Sequence, residues 1–192
     1  CSVSENFAKS TGSGIFIVQT STPLFIDVQI TDNICFNEGC GMYNTDESIT
    51  TLEDVRFEGN GHGTSGAALF MSANSRATCN KCVFDNNWCE SRGGAISIFS
   101  RANLNTTNSI FTNNNSSTGA SIYATDSTYQ FHFGSFFSNN SAKSHGAAIH
   151  VSEYAYLGVE ASFFSDNVAE VSPGGAIVFE DFTTGLLVDT IF

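Results

Sequence analysis

The sequence predicts an all-β fold, a right-handed parallel β-helix of about seven coils of 26–28 residues, and three recurring positions carry that prediction. A glycine returns at Gly12, Gly39, Gly66, Gly93, Gly119, Gly146 and Gly174. An apolar anchor stands 18 residues after each, at Ile30, Phe57, Phe84, Phe111, Phe137, Phe164 and Phe192, with Val3 as its counterpart in the first coil. Three residues beyond the anchor comes an asparagine, at Asn6, Asn33, Asn60, Asn87, Asn114, Asn140 and Asn167. All length variation falls between this asparagine and the next glycine, five residues after Asn114, seven after Asn167 and six elsewhere. A solenoid demands that pattern, because each coil must set its strands over those of the coil below and only a loop absorbs a change in length.

Each glycine opens a phrase of two small residues and an apolar one, ending at Ile15, Met42, Leu69, Ile96, Ile122, Ile149 and Ile177. The small residues allow close approach of backbone where the coil bends. The phenylalanine column is expected to fill the core. Seven coils about 4.8 Å apart make a rod of roughly 34 Å. The asparagine column is expected to be an inward ladder, each amide bonding along the axis to the next and satisfying turn backbone that burial would leave unpaired.

Composition agrees with strands. Phe is abundant (18) while Pro is scarce (2), 41% of residues are hydrophobic, and helical periodicity is nowhere sustained. One domain, residues 1–192, is expected. No apolar run approaches the roughly 20 residues that span a bilayer, so a direct membrane span is not predicted. The first residue is Cys1, which reads as a processed or excised piece. The net charge of -12 repels nucleic acid and anionic lipid. Asn-x-Ser/Thr acceptors at Asn105, Asn115 and Asn139 fit an exported, glycosylated protein, secreted or at a cell surface.

The Phe-x-x-Asn phrases (Phe57 to Asn60, Phe84 to Asn87, Phe111 to Asn114, Phe137 to Asn140, Phe164 to Asn167) and Gly-Gly-Ala-Ile (Gly93 to Ile96, Gly174 to Ile177) resemble the repeats of the polymorphic outer membrane protein family. The resemblance covers essentially the whole chain and implies a β-helix displayed outside a cell. Members of the bacterial kind look like surface adhesins carried on a C-terminal β-barrel, and no barrel is encoded here. The chain carries no cap at either end, so further coils or end-to-end stacking of subunits are expected.

Function in a solenoid is read from outward columns. The residue after the glycine phrase gives an aromatic column, Phe16, Tyr43, Phe70 and Tyr123, continued by Ser97, His150 and Val178, which strand alternation points outward, for stacking on sugar rings or a neighbouring rod. The residue before the anchor gives an apolar strip, Val83, Ile110, Phe136, Phe163 and Ile191, after Gln29 and Arg56, the mark of an interface. In the fifth coil Phe131, His132 and Phe133 depart from their neighbours, and a face swap there is an open alternative. Asp126, Glu153 and Asp181, with Asp46 further back, line one column; calcium is the cation such a column would take, although each coil supplies a single oxygen ligand and a solvated acidic edge explains the same residues. Ser4, Thr31, Thr112, Ser138 and Ser165 hint at an ice-binding ladder, which Glu58 and Asp85 interrupt.

Among six cysteines, Cys35 and Cys40 flank one loop and are the expected disulfide, with Cys89 to Cys79 or Cys82 next. Zinc on Cys79, Cys82 and Cys89 would need His62 as fourth ligand, and the spacing is irregular. No catalytic set recurs. Asp27, Asp54 and Lys81 share a column, which a solvated strip explains, and the four histidines find no acid or nucleophile at a recurring spacing. No cofactor is expected. The reading is an extracellular structural or adhesive module, a filament subunit, stalk or surface adhesin, that associates with itself, with neighbouring solenoid segments, with glycans or with a cell-surface protein. The alternative is a carbohydrate-binding or polysaccharide-degrading β-helix protein.

Overall fold

Three residues per coil anchor the chain inside a right-handed parallel solenoid, which a computed structural model describes over residues 1–172 and 174–192. Every described strand pairing is parallel, with partners one coil apart, 26 to 28 residues along the chain. Three seven-stranded sheets run the length of the rod. The phenylalanine sheet holds Ser2–Ser4, Gln29–Thr31, Arg56–Glu58, Val83–Asp85, Ile110–Thr112, Phe136–Ser138 and Phe163–Ser165, and Ile191 bridges to Phe163. The glycine-side sheet runs from Ile15–Ile17 to Ile177–Phe179, and the long-strand sheet, with strands mostly five residues long, from Leu24–Ile26 to Thr184–Val188. A fourth face is broken into two short sheets, joined through isolated bridges at Gly61 and Trp88. It precedes the glycine and contains the variable loop.

Phe57, Phe84, Phe111, Phe137 and Phe164 stack face to face at 4.6–4.9 Å, with planes within 5° of parallel. All are buried. Beside them runs the asparagine ladder. The side-chain amide of Asn60 donates to Oδ1 of Asn87 (3.0 Å) and to the carbonyl of Ile30 (2.8 Å), while its backbone N–H donates to the same Oδ1 (3.1 Å). The pattern repeats from Asn6 to Asn167. Each asparagine thus closes a corner that no strand ladder can satisfy.

The corners explain the polar residues. The position before each ladder asparagine is left-handed in every coil, filled by Glu5, Asp32, Gly59, Asn86, Asn113, Asn139 and Asp166. The seven repeat glycines have φ between +57° and +89°. At Gly146 a Cβ would stand 2.7 Å from the carbonyl oxygen of Ile149, so no other residue fits there without a shift of backbone.

Candidate binding surfaces

Strand alternation directs the residue after the glycine phrase away from the core, as predicted, but the aromatic column is not a free platform. Phe16 is exposed and Tyr43 half-buried; Phe70, Ser97, Tyr123 and His150 are buried. The variable loop folds back over this sheet, so that the Arg92 guanidinium lies 5.2 Å from the Tyr123 ring centre. Within the column the rings pack on one another, Phe16 on Tyr43, Tyr43 on Phe70 and Tyr123 on His150, while Phe99, two residues beyond Ser97, packs on Phe70. This corrects the expectation of a continuous sugar-stacking column: Phe70 and Tyr123 are buried and Tyr43 is stacked on both faces, which leaves only Phe16 exposed.

The apolar strip stands on the phenylalanine sheet, its residues paired in direct register from Val83 through Ile110 and Phe136 to Phe163, with Ile191 bridged beyond. Val83 is half-buried, while Ile110, Phe136, Phe163 and Ile191 are 40%, 52%, 36% and 60% exposed. The Arg56 guanidinium, paired with Glu58 at 2.7 Å and Asp85 at 2.8 Å, closes the strip at its lower end. Thr112, Ser138 and Ser165 flank it on the same sheet.

The fifth coil holds a surface that sequence reading passed over. Tyr129 and Phe133 are exposed on the long-strand sheet, with Phe131 half-buried between them. No face swap occurs: Gln130 and His132 point inward in the common register, beside Leu104 and Thr106 of the coil below. Tyr129 stacks on Tyr156 at 4.8 Å, and the Phe131 ring occupies the space above Gly158. The chain then turns through Gly134 straight into Phe136, so one corner separates these aromatics from the strip. The signal was present in the alternation of Tyr129, Phe131 and Phe133.

The acidic column does not converge. Asp46, Asp126, Glu153 and Asp181 are exposed and each occupies the first of two consecutive left-handed positions in a tight turn, a conformation that Asp tolerates better than most residues. Among the described residues no group of three or more His, Cys, Asp or Glu side chains is placed to hold a metal. The carboxylates of Asp126, Glu153 and Asp181 form an exposed turn edge, and His62, the fourth ligand that zinc on Cys79, Cys82 and Cys89 would need, packs edge-on against Trp88 at 4.5 Å. Asp27, Asp54 and Lys81 sit at single left-handed corners, exposed.

Cys35 and Cys40 form a disulfide. Cys79, Cys82 and Cys89 are free and buried, which corrects a bond from Cys89 to Cys79 or Cys82. The Cys89 thiol donates to the carbonyl of Arg92 at 3.1 Å, and burial pushes its pKa up to about 12. The Cys82 thiol donates to the carbonyls of Leu52 at 3.6 Å and Asn80 at 3.7 Å, and its closeness to Cys79 together with burial raises the pKa of Cys79 and holds it protonated. Asn105, Asn115 and Asn139 are all exposed, and none stands on a strand of the phenylalanine sheet.

A buried polar cluster interrupts the apolar core. His132 Nδ1 lies 2.7 Å from Thr106 Oγ1, and its Nε2 lies 3.0 Å from Gln130 Oε1. Thr106 Oγ1 reaches Ser135 Oγ at 3.2 Å, and Ser162 Oγ accepts from the Ser135 N–H. Burial alone lowers the His132 pKa to about 3. An unfolded histidine titrates near 6.5, so between these values the unfolded chain takes up a proton that the folded one refuses. The contribution of His132 is therefore complete above about pH 6.5 and is lost by about 1.4 kcal/mol per unit as pH falls toward 3. Urea titrations at pH 7 and pH 5 are expected to differ by about 2 kcal/mol more for the natural protein than for His132→Val, the valine being the residue that Val159 supplies one coil on. Equal pH dependence in the two proteins would refute the neutral buried imidazole.

Comparison with known families agrees with this geometry. A family model described as right handed beta helix region matches residues 1–136. A second, described as the Chlamydia polymorphic membrane protein repeat, matches residues 134–152, the stretch that holds Phe137 to Asn140 and Gly146 to Ile149. No curated protein and no solved structure matches the chain.

Proposed function

The chain belongs to the right-handed β-helix family, and from that premise we propose that it is a rigid structural and adhesive module displayed on the outside of a cell, engaging a neighbouring solenoid segment side-on. One observation carries the reading: the strip of Ile110, Phe136, Phe163 and Ile191 is apolar, exposed and in register on a parallel sheet. Two aromatic side chains held in water on a regular sheet are costly unless something covers them, and contiguous exposed apolar surface of this kind marks contact sites. Asn105 and Asn115 lie on other faces, so glycans there would leave the strip free to pack, whereas Asn139 directly follows the strand Phe136–Ser138. Likeness to the polymorphic membrane protein repeat over residues 134–152 supports display at a surface. No helix among the described residues is long and apolar enough to cross a membrane.

Sedimentation velocity tests the proposal. The natural protein is expected to associate reversibly in the micromolar range, and Phe136→Asp with Phe163→Asp to remain monomeric with an unchanged β-sheet circular dichroism spectrum. A natural protein that stays monomeric at every concentration would overturn lateral self-packing. Loss of the spectrum in the double variant would instead show that the two rings support the fold.

A further inference from the structure

We propose that the apolar strip pairs with the same strip of a second copy of this chain running in the opposite direction, about a two-fold axis level with Gly134 in the fifth coil. This pairing rests on the side-on contact inferred above and adds to it a partner, a direction and a register.

The corner that borders the strip carries the proposal. Between the long-strand and phenylalanine sheets each coil passes through one left-handed residue, in chain order Asp27, Asp54, Lys81, Asn108, Gly134, Ala161 and Asp189. Charge stands toward the ends of this column and none in its middle. Lys81 lies two coils below Gly134 and Asp189 two coils above, each roughly 10 Å away along the rod. Both are exposed, and neither has an ion-pair partner among the described residues. Within one rod they cannot serve each other, because roughly 19 Å exceeds the screening length of about 8 Å in physiological salt.

A two-fold axis lying across the rod in the plane of contact changes that. It turns the second copy end for end and sets the corner column against itself, with heights inverted about the fifth coil. Lys81 then meets Asp189 of the second copy, and Asp189 meets its Lys81. Asn108 faces Ala161 and Gly134 faces Gly134, so nothing bulky or charged stands between the two corners around the axis. Along the strip the same operation sets Val83 against Ile191, Ile110 against Phe163, and Phe136 against Phe136, apolar on apolar throughout. On the other side of Gly134 the exposed Phe133 also stands level with the axis, so the contact reaches the aromatic surface of the fifth coil. Copies running in the same direction fare worse. An axis along the rod would set the corner against the strip's other edge, Asp54 against Glu58 and Lys81 against Asp85, whose carboxylate already takes Arg56 at 2.8 Å. Acid facing acid across a contact selects against that direction.

Sedimentation velocity at low ionic strength tests direction and register, on protein made in bacteria so that Asn139, at the other edge of the strip, carries no glycan. Lys81→Asp and Asp189→Lys each install a residue that the same column already holds in the left-handed turn. Either change alone puts two like-charge pairs into the contact and is expected to weaken association about tenfold. The two together exchange the partners and are expected to restore it. Asp189→Lys is the sharper arm, because it adds two units of positive charge to a chain of net charge -12 and by general repulsion alone would strengthen association. Association of Asp189→Lys as tight as that of the natural protein or tighter, or a double variant no tighter than the single ones, with circular dichroism intact, would overturn the antiparallel pairing. The side-on contact would survive that result if Phe136→Asp with Phe163→Asp still abolished association. A natural protein that stays monomeric overturns both.

Discussion

Asn87→Ala is expected to lower the free energy of unfolding by about 4 kcal/mol, seen as a fall of roughly 2 M in the urea midpoint at an m-value of about 2 kcal/mol/M. The side chain is completely buried, and its Oδ1 accepts from both the backbone and the side-chain amide of Asn60. Its own amide donates to the carbonyls of Phe57 and Asp85 and to Asn114 Oδ1, each at 3.1 Å. Truncation strands two donors and up to three acceptors in a place water does not reach, and each orphan costs about 1–3 kcal/mol when nothing relaxes. Asn6→Ala serves as the internal comparison. That residue is exposed, so water replaces its partners and the expected change is below about 1 kcal/mol. Equal losses at the two positions would show that the ladder is not held together by buried pairing.

Phe111→Ala is expected to cost about 4 kcal/mol in the same assay, and Phe111→Leu about 1.5 kcal/mol. The ring is sandwiched between Phe84 at 4.7 Å and Phe137 at 4.6 Å and meets the edge of His132 at 6.3 Å. Parallel strands above and below are fixed by backbone bonds, so the coil cannot collapse into the void, and the cavity term adds to the lost transfer energy.

Positions that repeat by a purely backbone rule were legible in the sequence. Gly93, Phe111 and Asn114 each answer a requirement of every coil, a left-handed turn, a filled centre and a satisfied corner, so the same residue types return at the same spacing. The left-handed corner at Asp32, Gly59 and Asn86 obeys such a rule too, and a tally of that column by residue type would have found it. Cover was not legible. Whether Phe70 and Tyr123 face water depends on how the variable loop folds over the glycine-side sheet, and alternation within a strand carries no information about a third layer. Cysteine pairing failed for a related reason: Cys89 lies near Cys82 in sequence, yet its thiol is turned to the Arg92 carbonyl in the loop.

A chain built from near-copies of one coil has a hazard of its own: a strand can settle one coil too high or too low, since the phenylalanine, asparagine and glycine of the wrong coil would fit almost as well as the right ones. The polar cluster at His132 works against that error. Among the described residues only one coil carries an imidazole at its centre, and the coil below offers the Thr106 hydroxyl to meet it. Displaced by one coil, His132 would take the neighbours of Val159 or Thr106, and while Gln130 travels with it on the same strand, its Nδ1 would lose the Thr106 hydroxyl in a dry interior. A residue that weakens the stack in acid thus also numbers its coils, giving an otherwise periodic chain a single reading frame.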